Sequence, residues 1–147
     1  MRLRAAFYVA LASAVLAQAG PQHFNVSAAF VSGASRGADG AVAVRFAALD
    51  PDVRVNEEPA PRLKLDPVQA VLLDRQKPAM SRGESFDPEK ARSLDLSVPV
   101  LFPVALSPRA PKGSHAVKAS VTYFYCSKRE GWCRKGTAEV DVPVQVP

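Results

Sequence analysis

The sequence predicts an all-β protein, an antiparallel β-sandwich of about seven to eight strands. Apolar and polar residues alternate in short runs, a pattern typical of strands with one buried face. The 147 residues include 13 prolines, which disfavour a helical domain. No stretch after the first 19 residues has a convincing helical period. The length suffices for one domain with a hydrophobic core.

The first 19 residues have the three parts of an export signal peptide. Arg2 and Arg4 form a short positive region, and residues 5–16 form an apolar run that is too short to span a bilayer. Residues 17–19 form a small-x-small cleavage site. We expect residues 1–19 to be removed and residues 20–147 to form a periplasmic or secreted domain without membrane insertion. The alternative is a retained membrane anchor.

Charge argues against nucleic acid as a partner. The formal net charge is +5, but cleavage would remove Arg2 and Arg4, leaving 17 basic residues against 14 acidic ones, or about +3. The remaining basic residues are scattered, with small clusters at 128–129 and 134–135. A basic stripe with interleaved aromatic residues is absent from the sequence, so no nucleic acid is expected to bind.

The first half of the domain contains short strands separated by turn signals. A glycine-rich loop is predicted at residues 32–40, and aspartate–proline turns at 50–52 and 66–67. The short apolar run at 69–73 is interpreted as a strand because of its length and flanking turns. The remaining predicted strands of this half are residues 24–31, 41–49 and 62–65, and residues 53–55 begin an extended segment that Pro59 and Pro61 interrupt.

The second half opens with a long polar stretch. Residues 75–94 are irregular, and a loop of this length within a compact domain is usually functional or mobile. Residues 93–106 alternate again, but Pro99 and Pro103 interrupt them, which favours an edge strand or a bulge. After a loop at 107–113, the sequence predicts strands at 115–125 and 137–146.

Both cysteines of the chain lie near its C-terminus. Six residues separate Cys126 from Cys133, and they include Gly131, a turn former. We expect a β-hairpin closed by a disulfide, either redox-active or structural. Lys128 and Arg129 between the cysteines and Arg134 and Lys135 after them would favour a thiolate. A structural bridge over eight residues would contribute about 2.5 kcal/mol, and spacing alone favours this second interpretation because most disulfides of exported proteins are structural.

Other kinds of site are not indicated. The two histidines, His23 and His115, are far apart, and no cysteine–histidine cluster has metal-ligand spacing. The sequence has neither a phosphate-cradling glycine loop nor a Gly-x-Ser-x-Gly elbow. We therefore expect neither a metal nor a bound cofactor.

The cysteine region resembles a known family. The run VTYFYC at 121–126, the run GWC at 131–133 and the final valine-rich strand resemble the N-terminal periplasmic domain of the thiol:disulfide interchange protein DsbD. Residues 96–104 resemble the strand that precedes the hairpin in that family, and GESF at 83–86 resembles its cap loop. The resemblance covers roughly residues 24–146 and is strongest after residue 93. The cysteine spacing is one residue longer than the common family pattern.

The resemblance implies an immunoglobulin-like fold and a function. Cys126 and Cys133 would be the catalytic pair of an extracytoplasmic thiol–disulfide exchange protein, and Phe86 would cap the disulfide. Its partners would be thioredoxin-like exported proteins or a membrane electron donor, which a free-standing domain would meet as separate proteins. The alternative is a non-catalytic immunoglobulin-like binding or assembly module with a structural disulfide. Which cysteine attacks stays open at this point.

Overall fold

The computed structural model describes residues 22–31, 39–77, 88 and 91–147, and this part of the chain is all-β, without a helix. The expected signal peptide and Phe86 lie outside the described residues. The predicted fold class is confirmed at the level of two antiparallel sheets. The strands are β1 (Phe24–Val31), β2 (Asp39–Ala48), β3 (Val53–Val55), β4 (Arg62–Leu65), β5 (Leu72–Asp74), β6 (Val100–Leu106), β7 (Gly113–Ser127) and β8 (Trp132–Val146).

The first sheet has the strand order β1-β2-β6-β5, and the second is built around β7. Strand β8 pairs with β7 over fifteen residue pairs, which occupies one whole edge of β7. Strands β3 and β4 therefore share the other edge, β3 opposite residues 125–127 and β4 opposite residues 119–122. This arrangement makes the C-terminal end of β7 an internal position and leaves β8 with a single partner strand.

Both sheets contribute side chains to one hydrophobic core. Residues alternate between buried and exposed along the strands, as expected for a sheet with one face on the core. On β7, odd-numbered residues from Val117 to Tyr123 face the core, and on β8 the even-numbered residues from Val140 to Val146 do so. The valines with the smallest exposure in this core are Val42, Val44, Val53, Val55, Val104, Val117, Val121, Val142 and Val146.

Most predicted strands are confirmed, but some begin or end at residues other than the predicted ones. Strands β1 and β4 have the predicted bounds, whereas β2 begins at Asp39, inside the predicted loop. The prediction for residues 93–106 was partly wrong, because the strand begins only at Val100 and lies between β2 and β5 rather than at an edge. The amide of Arg75 donates to the carbonyl of Pro103 at 3.1 Å. Pro103 has no N–H to return that bond, so the β5–β6 ladder ends there.

Candidate functional site: the disulfide hairpin

The two cysteines form a disulfide across the end of the β7–β8 hairpin. Cys126 and Cys133 are direct partners in the strand register, and their sulfur atoms are 2.04 Å apart. The disulfide joins the second-last residue pair of the ladder, because only the pair of Ser127 and Trp132 lies between it and the turn. The predicted disulfide-closed hairpin is confirmed.

Ser127 and Gly131 define the turn beside the disulfide. The Gly131 amide donates to the Ser127 carbonyl oxygen at 2.9 Å, and the Glu130 amide donates to Ser127 Oγ at 3.1 Å. Gly131 has a φ of +70°, in the left-handed region that favours glycine. Ser127 is buried, and the bond that its Oγ accepts is partly buried. The turn therefore has a specific hydrogen-bonded geometry rather than a loose connection.

The two cysteines differ in environment because their strands differ in position. Cys126 lies on β7 with β8 on one side and β3 on the other, where Arg54 is its direct partner. Its side chain is only 2% exposed. Cys133 lies on β8, which pairs only with β7, and it is half-buried. A molecule in solution therefore has better access to Cys133.

The disulfide projects from the outer face of the second sheet, opposite the core. Phe124 lies two residues before Cys126 on this same face, and it is 3% exposed. Lys118 on the same face is exposed. Burial on the outer face thus increases along β7 toward the disulfide. Lys135 contributes to this environment, with its Nζ 5.9 Å from the Phe124 ring centroid.

Cationic side chains surround the hairpin end. Arg54 and Lys135 lie on the face that carries the disulfide, and the guanidinium of Arg134 stacks 4.3 Å from the Trp132 ring centroid on the other face. The turn adds the sequence-predicted pair at 128–129. Nearby positive charge stabilises a thiolate relative to a thiol, so the setting favours cysteine reactivity once the disulfide is reduced.

An aromatic cluster supports the hairpin from the core side. His23 contacts both Tyr125 and Trp132, with ring centroids 5.5 Å apart in each case. Tyr125 and Trp132 themselves meet edge to face at 5.9 Å. His23 Nδ1 lies 3.5 Å from a carboxylate oxygen of Asp50. The residues next in sequence to the two cysteines are thus held by a histidine that precedes β1.

Tyr123 extends this cluster into the core. Its ring meets Phe24 and Phe46 edge to face at centroid distances of 5.8 and 5.1 Å. Burial raises the pKa of the Tyr123 hydroxyl above its ordinary value, and the nearby Tyr125 raises it further. The hydroxyl therefore stays neutral to higher pH than in an unfolded chain.

Local sequence patterns identify the two cysteines, but they indicate no role for His23 or Arg54. Both reach the hairpin only through tertiary structure, β1 by packing and β3 by pairing with β7, and no local motif signals this. His115 is placed elsewhere, eleven residues before Cys126 on β7, a separation of about 36 Å in an extended strand. Its Nε2 lies 2.7 Å from the carbonyl oxygen of Pro111.

Neither a metal site nor a membrane span is found in the described part of the chain. No group of three or more histidine, cysteine, aspartate or glutamate side chains there has a geometry that could hold a metal ion. The same residues contain no helix of the length and hydrophobicity needed to cross a bilayer.

Comparison of the chain with protein-family models, curated proteins and solved structures gives no match.

Proposed function

We propose that this protein carries out thiol–disulfide exchange through Cys126 and Cys133, in an immunoglobulin-like sandwich of the DsbD N-terminal type that is periplasmic or secreted. One observation carries the proposal. The disulfide projects from the sheet next to an exposed turn, and one of its cysteines is half-buried on a strand with a single partner. An incoming thiolate or disulfide needs such access to a sulfur atom.

The unequal burial of the two cysteines assigns them different steps in this proposal. In the reduced protein, the Cys133 thiolate attacks a sulfur of the partner's disulfide, and the partner's other sulfur leaves as a thiolate. The buried Cys126, after losing its proton, attacks the Cys133 sulfur of the mixed disulfide and releases the second partner thiolate. Two electrons pass to the partner and the Cys126–Cys133 bond re-forms. A thioredoxin-like exported protein or a membrane electron donor would take part in the reverse step.

The burial of the outer face beside the sulfurs supports a covered site. Phe124 and Cys126 are both almost fully buried although they face away from the core. In the family that the sequence resembles, an aromatic residue shields the disulfide, and Phe86 is the residue that corresponds to it. We expect Phe86→Ala to accelerate reduction of the disulfide by dithiothreitol, with Phe30→Ala in β1 as the control substitution. An unchanged rate of disulfide reduction in Phe86→Ala would show that Phe86 does not shield the disulfide.

A structural disulfide in a non-catalytic binding or assembly module is the second candidate. The 2% exposure of Cys126 favours it, because structural disulfides are usually protected from exchange. However, the hairpin already has fifteen residue pairs and an aromatic cluster on its inner face. A disulfide that closes only eight residues contributes about 2.5 kcal/mol, near the lower end of the usual range, to such a hairpin.

The reduction potential of the purified protein distinguishes the two functions. An exchange pair equilibrates with thioredoxin or glutathione, whereas a structural disulfide lies below about −300 mV. Trapping gives a second measurement. Cys126→Ser leaves the half-buried Cys133 and should accumulate a mixed disulfide with glutathione, and the matched Cys133→Ser variant, which leaves the buried Cys126, should accumulate much less. A potential far below −300 mV together with no trapped adduct would reject exchange.

A further inference from the structure

The charges beside the disulfide indicate what kind of partner it accepts. We infer, on the basis of the proposed exchange function, that the partner is a disulfide-bearing polypeptide with acidic residues next to its sulfur atoms. Five cationic residues are concentrated at this end of the hairpin, in β3, in the turn and at the start of β8. They are Arg54, Lys128, Arg129, Arg134 and Lys135.

Two of these cations flank the sulfur atoms on their own face of the sheet. Arg54 is the direct β3 partner of Cys126, and Lys135 follows Cys133 by two residues on β8. Directly opposed residues leave the same face, as do residues two apart on a strand. Arg54, whose guanidinium also donates to the Pro51 carbonyl oxygen, and Lys135 therefore place positive charge on the face from which a partner would approach the disulfide.

Little negative charge offsets these cations. Arg129 lies 2.9 Å from a carboxylate oxygen of Asp52 and 3.7 Å from one of Glu130. The Glu130 carboxylate also accepts a bond from the Trp132 indole at 2.6 Å. Among the described residues, the other four cations have no ion-pair partner. This end of the hairpin therefore carries a net positive charge.

This charge acts on the encounter with the partner. Complementary potentials raise association rates tenfold or more at low ionic strength, and like charges suppress the wrong partners. The effect weakens with salt because the screening length falls from about 30 Å at 0.01 M to about 3 Å at 1 M. The cations also favour the thiolate, but that influence is common to every partner, so it does not discriminate among them.

Three small disulfides test the inference on the reduced protein. Glutathione disulfide is anionic, hydroxyethyl disulfide is neutral and cystamine is cationic, and each rate constant is measured at about 0.01 M and about 1 M salt. The ratio of the two rates for one probe cancels the probe's intrinsic reactivity. We expect the rate to fall several-fold with salt for glutathione disulfide, to rise for cystamine and to change little for hydroxyethyl disulfide.

A pair of matched variants locates the charge. Arg54→Gln with Lys135→Gln should abolish most of the difference between the anionic and cationic probes. Arg109→Gln with Lys112→Gln removes the same charge from the loop before β7 and should leave the difference intact. Equal salt responses for all three probes, or no effect of the first variant, would overturn this inference while leaving exchange itself established. No reaction with any probe would instead overturn the proposed function.

Discussion

The ring of Tyr123 lies over Gly136, its direct partner in the β7–β8 register. A Cβ atom at position 136 would lie 2.7 Å from Cζ of Tyr123, closer than such atoms approach in proteins. The ring cannot easily move away, because Phe24 and Phe46 contact it from the first sheet. The absence of a side chain at 136 is therefore what admits the tyrosine into the core.

Replacing this glycine should destabilise the protein. Elsewhere in a strand, Gly→Ala is favourable by roughly 0.5–1 kcal/mol. At Gly136 we expect the steric conflict with Tyr123 to dominate and to lower the free energy of unfolding by about 1–3 kcal/mol. Urea unfolding of Gly136→Ala, Tyr123→Leu and the double variant provides a mutant cycle. Gly136→Ala should lower the free energy of unfolding much less in the Tyr123→Leu background, where the ring is absent. Additive effects of the two substitutions would contradict the contact between Tyr123 and Gly136.

The raised pKa of Tyr123 predicts that the protein loses stability in alkali. Its pKa is raised in the folded state, so the unfolded state releases the proton first as pH rises above 10. The stabilisation is fully present below the unfolded pKa and is lost as pH rises through the folded one. We expect the free energy of unfolding to fall less steeply between pH 9 and pH 11.5 in Tyr123→Phe than in the parent protein. The two slopes should differ by at most about 1.4 kcal/mol per pH unit. Identical slopes for both proteins in denaturant titrations would disprove the assignment.

The sequence predicted the strands well where periodicity is local. The clean alternation of residues 115–125 predicted β7, and the spacing of the two cysteines predicted the hairpin. Each of these patterns involves only residues that are close together in the sequence. The 93–99 stretch also alternates but is not a strand. Of these residues, only Ser93 forms a bridge, to Asn56. Alternation therefore does not by itself ensure a partner strand.

The surroundings of the disulfide could not be predicted in the same way. Arg54 reaches Cys126 because β3 pairs with the last three residues of β7, a register that depends on the whole sheet. His23 reaches Trp132 because β1 packs near the hairpin although more than a hundred residues separate them. The two cysteines also look equivalent in sequence. Only the strand order shows that Cys126 is internal and Cys133 is not.

Reduction of the disulfide should weaken the protein without unfolding it. The closed loop has eight residues, which corresponds to about 2.5 kcal/mol on the loop-entropy estimate. The β7–β8 ladder and the core valines do not depend on the bond. We expect the Cys126→Ala, Cys133→Ala variant to retain the far-ultraviolet circular dichroism of a β-protein and to unfold at a lower urea concentration. Loss of the β-spectrum at neutral pH would show that the disulfide is essential for folding.

The contact between His23 and Trp132 can be tested with the fluorescence of the single tryptophan of the chain. The His23 ring packs on Trp132 and Tyr125, so His23→Ala should expose the indole to water. We expect a red shift of the emission and a loss of about 1 kcal/mol in unfolding free energy, since a ring pair contributes roughly 0.5–1.5 kcal/mol beyond burial. His115→Ala is the matched control because His115 lies near the far end of β7, opposite Val144. Equal spectra for the two variants would contradict the packing of His23 against the hairpin.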